Sequence, residues 1–361
     1  MLTAVPRLAA GFARVAQRGP LRFDSGMNHS PGLFKVALLG VLLVTNSVSG
    51  AEKLKALIVD GQNNHAWQST TPVLKWVLEQ SGRFTVDIAT APESAPRPPK
   101  APKEAKPEQL AAYETAKAQW QEQKRSFDEK RDGLWNAWRP KFSNYAVVVS
   151  NYNGELWPEE VREAFVQYVK QGGGFVAVHA ADNAFPEWLE YNQMIGVGGW
   201  GGRNEKSGPM LRFRNGAMVK DETPGAGGTH GVQHEFVVES REPKHPIIAG
   251  LAPKWKHAGD ELYAKLRGPA KDVTVLATAY SDPETRGTGE HEPMLMVTQF
   301  GKGRVFHTTL GHSADAMNGL GFQVTFARGC EWVATGKVSL PSPAPGALSV
   351  ETASMRPMPK P

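Results

Sequence analysis

Apolar and polar positions alternate along this chain with two different periods, and the switches between them outline a fold. Residues 53–61, KLKALIVDG, have the length and β-branched content of a buried strand and run into a polar loop, QNNHAWQSTT. Thr71 and Pro72 predict a helix start, and the amphipathic stretch that follows closes at Gly82. FTVDIAT reads as a second strand and NYAVVVSNYNG as a third. Pro158 opens a helix that stops at Gly172, and GFVAVHA is a fourth strand. Strand–helix alternation of this kind predicts an α/β fold, a doubly wound and mostly parallel sheet with helices on both faces.

The alternation is interrupted by residues 92–141. That insertion opens with APESAPRPPKAPKEAKPEQ, a proline-rich extended segment, and then becomes helical. Tyr113, Trp120, Phe127 and Leu134 fall seven apart and predict one narrow apolar seam, which docks on its own domain or on a partner. From Trp188 to about residue 290 the regularity fades into two glycine-rich loops around MLRFRNGAMV, a hairpin with an Asn-Gly turn. Neither loop has a phosphate-binding spacing. Strands resume at DVTVLATAY and PMLMVTQFGKGRVFHTTLGH, GLGFQVTFARGCEWVATG is a closing helix, and the proline-rich residues 339–361 are expected to be disordered.

Composition changes this picture at the N-terminus. The chain of 361 residues has a formal net charge of +5, but five of its basic residues and one acidic residue fall within residues 1–50. The remainder is close to neutral and offers no electrostatic case for nucleic acid. Within that leader, GLFKVALLGVLLVTNSVSGAEK has a lysine, a short apolar core and small residues suited to cleavage near Ala51. It predicts an exported, periplasmic or extracellular protein with no stable membrane span after cleavage, and Met27 is an alternative start. The apolar run is short for an anchor. Cys330 is the single cysteine, which excludes an intrachain disulfide and a zinc site built on several thiolates.

Ligands of doubly wound sheets bind at the carboxyl ends of the strands, and four polar clusters lie there. The first strand ends in Asn63, Asn64 and His65 with Trp67 nearby; the third in Asn151, Tyr152 and Asn153; the fourth in His179, Asp182 and Asn183. The last strand supplies His307, read as structural, and His312 just beyond it. Imidazole titrates near neutrality and ligates transition metals. His179, Asp182, His65 and Glu261 are therefore candidates for acid–base chemistry, and His179, His65 and His312 for a divalent metal ion. Each has a plainer reading: His65 as a loop cap, His179 as a core histidine, His312 at a helix entry. Asp260 and Glu261 read equally as a functional pair or an exposed cap. Asn64, Trp67, Asn153, Trp200 and Asp260 are candidates for holding a small-molecule carbohydrate, since indole rings stack on sugar faces; for scattered tryptophans core packing is the alternative.

Five segments in order, LIVDGQNNHAWQ, GGGFVAVHAA, KHPIIAGL, DELYAKL and GKGRVFHTTLGH, resemble the ThuA-like (trehalose utilisation) family from residue 53 to about 338, outside the insertion. The exported form with its insertion is similar to ThuA-like proteins of planctomycete-type bacteria. The resemblance implies a class I glutamine amidotransferase-like, flavodoxin-like fold and a place in carbohydrate metabolism, acting on a sugar or keto-sugar. In glutamine amidotransferases the turn after this fourth strand presents a cysteine nucleophile; here the turn reads VAVHAADN, so glutamine hydrolysis by that route is not available. GWGGRNEKSGP stands where many relatives have a histidine-containing segment, so an equivalent contact is missing or comes from His230 or His234. The readings from other classes are a non-catalytic carbohydrate binder and an interaction module with the insertion as its arm.

Overall fold

The computed structural model describes residues 52–103 and 106–359; the leader and the export it predicts lie outside them. The first four strands are β1 (Leu54–Asp60), β2 (Phe84–Thr90), β3 (Val147–Ser150) and β4 (Gly174–Val178). They are joined by α1 (Trp67–Gln80), α2 (Pro107–Ala137) and α3 (Glu159–Lys170). Then follow α4 (Leu189–Ile195), the hairpin β5 (Met210–Arg214) and β6 (Ala217–Asp221), β7 (Thr229–His230), β8 (His234–Ser240), β9 (Lys254–Asp260) and β10 (Tyr263–Ala264). The chain continues through β11 (Thr274–Tyr280), β12 (His291–Phe300), β13 (Gly303–Thr308), α5 (Ala314–Met317) and α6 (Leu320–Thr335).

One large sheet organises the molecule, in the order β2-β1-β3-β4-β13-β12-β11-β8-β9, with the β5–β6 hairpin attached to β12. The pairings from β2 through β13 are all parallel, and those beyond β13 are antiparallel. Successive side chains of a strand point to opposite faces, and the parallel strands use both. Ala56, Ile58, Val147, Val149, Val176, Val178 and Phe306 pack under α1 and α6 on one side. Leu57, Val59, Val148, Phe175, Ala177 and Val305 pack under α3 and α4 on the other. A strand apolar at every position fits only a sheet covered on both faces. The loops at the carboxyl ends of these strands are what the covering helices leave open.

Several boundaries differ from expectation. α1 begins at Trp67 and carries Pro72 inside it. β8 and β9 arise from a region whose sequence is irregular, because both have mixed burial and a bulge breaks their register. The Asn-Gly hairpin is present, with Asn215 and Gly216 at φ +52° and +83°, the left-handed pair that a two-residue turn requires. In α2, Tyr113, Trp120 and Phe127 are half-buried, but Leu134 is exposed and Trp135 is buried instead. A straight helix drifts about 20° for every seven residues, and by the fourth repeat that drift has turned the seam away. α2 packs partly on its own proline-rich segment, where Trp120 Nε1 donates to Pro96 O at 2.8 Å.

The expectation of a disordered tail is corrected. Leu348 is buried, Lys256 N–H donates to Ser349 O at 2.7 Å, and Leu320 N–H donates to Ser354 O at 2.8 Å. Proline keeps this segment out of helices and strands, yet its carbonyls still satisfy amides that the sheet edge and α6 leave free.

Candidate functional site

β4 ends in the sharp turn that places His179. Its backbone is left-handed, φ +46°, a conformation that costs a non-glycine residue on the order of 1–3 kcal/mol. His179 Nδ1 lies 2.6 Å from Thr309 O. A carbonyl only accepts, so Nδ1 carries the proton that meets it and Nε2 is the nitrogen turned toward the site. That Nε2 is buried with no hydrogen-bond partner and lies 3.7 Å from Glu261 Oε2.

Three further loops converge there. After β1, Gly61 at φ +112° turns the chain where a Cβ would meet Ala91 O at 2.4 Å. His65 N–H then donates to Asn63 Oδ1 at 3.0 Å, and Asn63 Nδ2 to Asn151 O at 3.2 Å, which fixes the His65 loop to the end of β3. His65 Nε2 is 3.0 Å from the Tyr263 hydroxyl. After β9 comes Glu261, and after β13 comes His312, whose Nδ1 is 3.0 Å from Glu261 Oε2. His65, His179, Glu261 and His312 each offer a ligand atom, all within 4.8 Å of one another.

Electrostatics follow from that crowding. Burial, with His179 and His312 adding to it, pushes His65 down to about 4, so its ring is neutral at pH 7. Burial alone would raise Glu261, but the imidazoles of His179 and His312 outweigh it and hold the carboxylate ionised. The same pairing raises His312. Burial pushes the Tyr263 phenol far up, leaving a hydroxyl that stays protonated. Three imidazoles and one ionised carboxylate, with a buried ring nitrogen left unpartnered, are a donor set that fits a divalent transition metal.

Beside these groups is a cavity of about 370 Å³ lined by Asn64, His65, Asn153, Asn183, Trp200, Gly201, His230, Glu261 and Tyr263. Asn153 Nδ2 donates to Asn64 Oδ1 at 2.7 Å, and Trp200 meets Tyr263 edge to face at 4.7 Å. Of the carbohydrate candidates, Asn64, Asn153 and Trp200 are on this wall. Trp67 is not; it is the first residue of α1. Asp182 is wholly buried beneath the site against His307 Nε2 at 3.2 Å, so it does not reach a substrate. Asp260 is also wholly buried and is corrected in the same way: its carboxylate is taken up by His257 and by backbone amides.

The family profile described as ThuA, trehalose utilisation, matches residues 55–333. The chain belongs to the ThuA family. A ThuA-like protein of Parabacteroides merdae is 41% identical, with 84% of this chain and 98% of that one covered and a TM-score of 0.70. A second ThuA-like structure, from Bacteroides uniformis, is 17% identical over 81% of this chain and 95% of that one, with a TM-score of 0.47. No curated protein matches the chain.

In this ThuA chain Cys330 is buried inside α6, away from the β4 turn, and burial raises its thiol well above the ordinary range. It has no part in the site. Of the two alternatives at the glycine-rich segment, His230 lies 3.8 Å from Glu261 Oε1 at the cavity mouth. His234 instead faces Val232 O and Thr285. Tyr263, one of the aromatic residues near these loops that suit stacking on a sugar, lines the cavity, and Gln233 was not assigned from sequence. Gln233, 3.0 Å from His312 Nε2, carries no sequence signal. Among the described residues no helix is long and apolar enough to cross a membrane.

Proposed function

We propose that this ThuA-family chain is an exported, metal-assisted enzyme acting on a sugar or keto-sugar, and that its fold is the doubly wound, flavodoxin-like arrangement of class I glutamine amidotransferases. The strand order β2-β1-β3-β4-β13, covered on both faces, supports the fold reading. The observation that carries the functional reading is the unpartnered His179 Nε2, buried within reach of His65, His312 and Glu261.

His65, His179, His312 and Glu261 would hold the ion, and an imidazole-rich set suits zinc, iron or nickel better than magnesium or calcium. A divalent cation there would supply positive charge to stabilise a sugar oxygen on which negative charge develops. The protein does the rest. Trp200 presents its ring to an apolar sugar face, and Asn64, Asn153 and Asn183 present amides to hydroxyls. His230 at the mouth is placed to take a proton from carbon next to a carbonyl, and the neutral Tyr263 hydroxyl to donate one to oxygen. Proton abstraction beside a keto group and cleavage of a glycosidic bond so activated both follow from that pair.

Metal analysis of the purified chain beside His179→Ala tests this. We expect one equivalent of a divalent transition metal in the wild type and less than a tenth of that in the variant, with turnover of keto-sugars lost. A wild-type chain that binds sugar but takes up no metal would replace this reading with a carbohydrate-binding protein.

A further inference from the structure

Two of the four proposed ligands come from strands far apart in the sheet. Glu261 follows β9, the outer edge, and His312 follows β13, with β12, β11 and β8 between them. His312 Nδ1 meets Glu261 Oε2 at 3.0 Å, but that contact does not reach the backbone that carries the two side chains. Asp260 does. Its Oδ1 accepts from Glu261 N–H at 2.8 Å and from His312 N–H at 3.0 Å. Its Oδ2 accepts from Gly311 N–H at 2.7 Å and lies 2.8 Å from His257 Nε2. Four contacts saturate a carboxylate that is wholly buried, so the group is an internal clasp and has nothing left for a ligand. Gly311 makes the clasp reachable: at φ +110° it aims two successive N–H groups at one carboxylate, and a Cβ there would press on Met317 and Phe322 at 3.0 Å.

We infer that Asp260, backed by His257, is the positioning residue that sets the Glu261–His312 pair of the metal site. The inference rests on the proposed metal reading. Groups that orient metal ligands without touching the ion are worth about 10–100-fold in affinity, and buried hydrogen bonds to a carboxylate are short and strong.

The test is zinc affinity of the purified full chain by competition with a chromophoric chelator, together with amide hydrogen exchange, for wild type, Asp260→Asn and Glu331→Gln. Glu331 anchors α6 to the tail and serves as a control that loses stability without touching the site. Asp260→Asn turns a donor toward Gly311 N–H, so exchange at Gly311 and His312 should accelerate and zinc binding should weaken tenfold or more. Glu331→Gln should bind zinc within threefold of wild type. A folded Asp260→Asn chain with wild-type zinc affinity overturns the assignment, as does equal loss in Glu331→Gln. If Asp260→Asn does not fold, His257→Leu takes its place: a severalfold loss of zinc affinity supports the assignment and unchanged affinity overturns it. A wild-type chain that takes up no zinc removes the metal reading alone. In that case unaltered exchange at Gly311 and His312 in the variant would overturn the clasp, and accelerated exchange would sustain it as a device that sets the Glu261–His312 pair.

Discussion

Trp200 has a left-handed backbone, φ +50°, and is followed by Gly201 and Gly202 at +58° and +82°. Three such residues in a row make a tight reversal, and the reversal brings the indole over the cavity against Tyr263. Its strain is offset by what the loop delivers, an aromatic wall opposite Asn64 and Asn153. Trp200→Ala should weaken sugar binding by about 1–2 kcal/mol, roughly tenfold, while zinc affinity stays within threefold. Calorimetry with a keto-sugar and chelator competition on the same preparation check both; equal losses in the two would show the loop to be scaffolding for the metal ligands. At this scale the sequence announces residues by position. His65, His179, Glu261 and His312 follow strand ends, where polar residues have no core to fill. Asp182 lies just past a strand and Asp260 ends one, yet both are buried supports, because sequence cannot show which way the chain turns at a strand end. That turn depends on partners such as Thr309 O and Gly311 N–H, which come from elsewhere in the chain.

At the scale of elements, α6 is tied down by one carboxylate. Glu331 is almost fully buried; it receives Arg83 Nε at 3.0 Å, Ser339 Oγ at 2.5 Å, and the amides of Ser339 and Leu340 at 2.8 and 3.0 Å. Burial alone would raise this group, but those hydrogen bonds more than offset it and hold it below the ordinary carboxylate value of 4.5. A depressed folded-state value means that the stabilisation is fully present above about pH 4.5 and is lost as pH falls through the folded value. Glu331→Gln should therefore lower stability at pH 7 by on the order of 1–3 kcal/mol, and the gap between the two melting temperatures should narrow in acid. A gap constant from pH 7 to pH 3 would assign the loss to shape rather than charge. The elements themselves were legible where one local rule dominates: apolar runs for β1, β3 and β4, and Asn-Gly for the β5–β6 hairpin. β8 and β9 were not, since their pattern answers to a bulge and to a partly wet face rather than to strict alternation.

At the scale of the described molecule, the last segment completes the fold. Residues 344–359 contain no helix or strand, and composition alone places them in solvent. In the structure they cross from the β9 edge to the start of α6. The first amides of a helix have no partner within it; Ser354 O takes that of Leu320, and Arg356 O accepts from Gln323 Nε2 at 2.8 Å. On β9, Ser349 O takes the outward amide of Lys256, next to His257. A sheet edge protected in this way is less open to pairing with another chain. Ending the chain after Pro343 should remove Leu348 from the core it shares with α1 and α6. Leucine burial contributes about 2 kcal/mol and each lost hydrogen bond about 1 kcal/mol, so the melting temperature should fall by roughly 10 °C, read by scanning calorimetry. Zinc affinity should change little, because the Asp260 clasp draws its donors from residues 257–312 alone. A truncated chain that melts with the full one would mean that the tail lies on the surface without bearing on the fold. A chain that melts early and also loses zinc would mean that the β9 edge needs its cover to hold Asp260 in place.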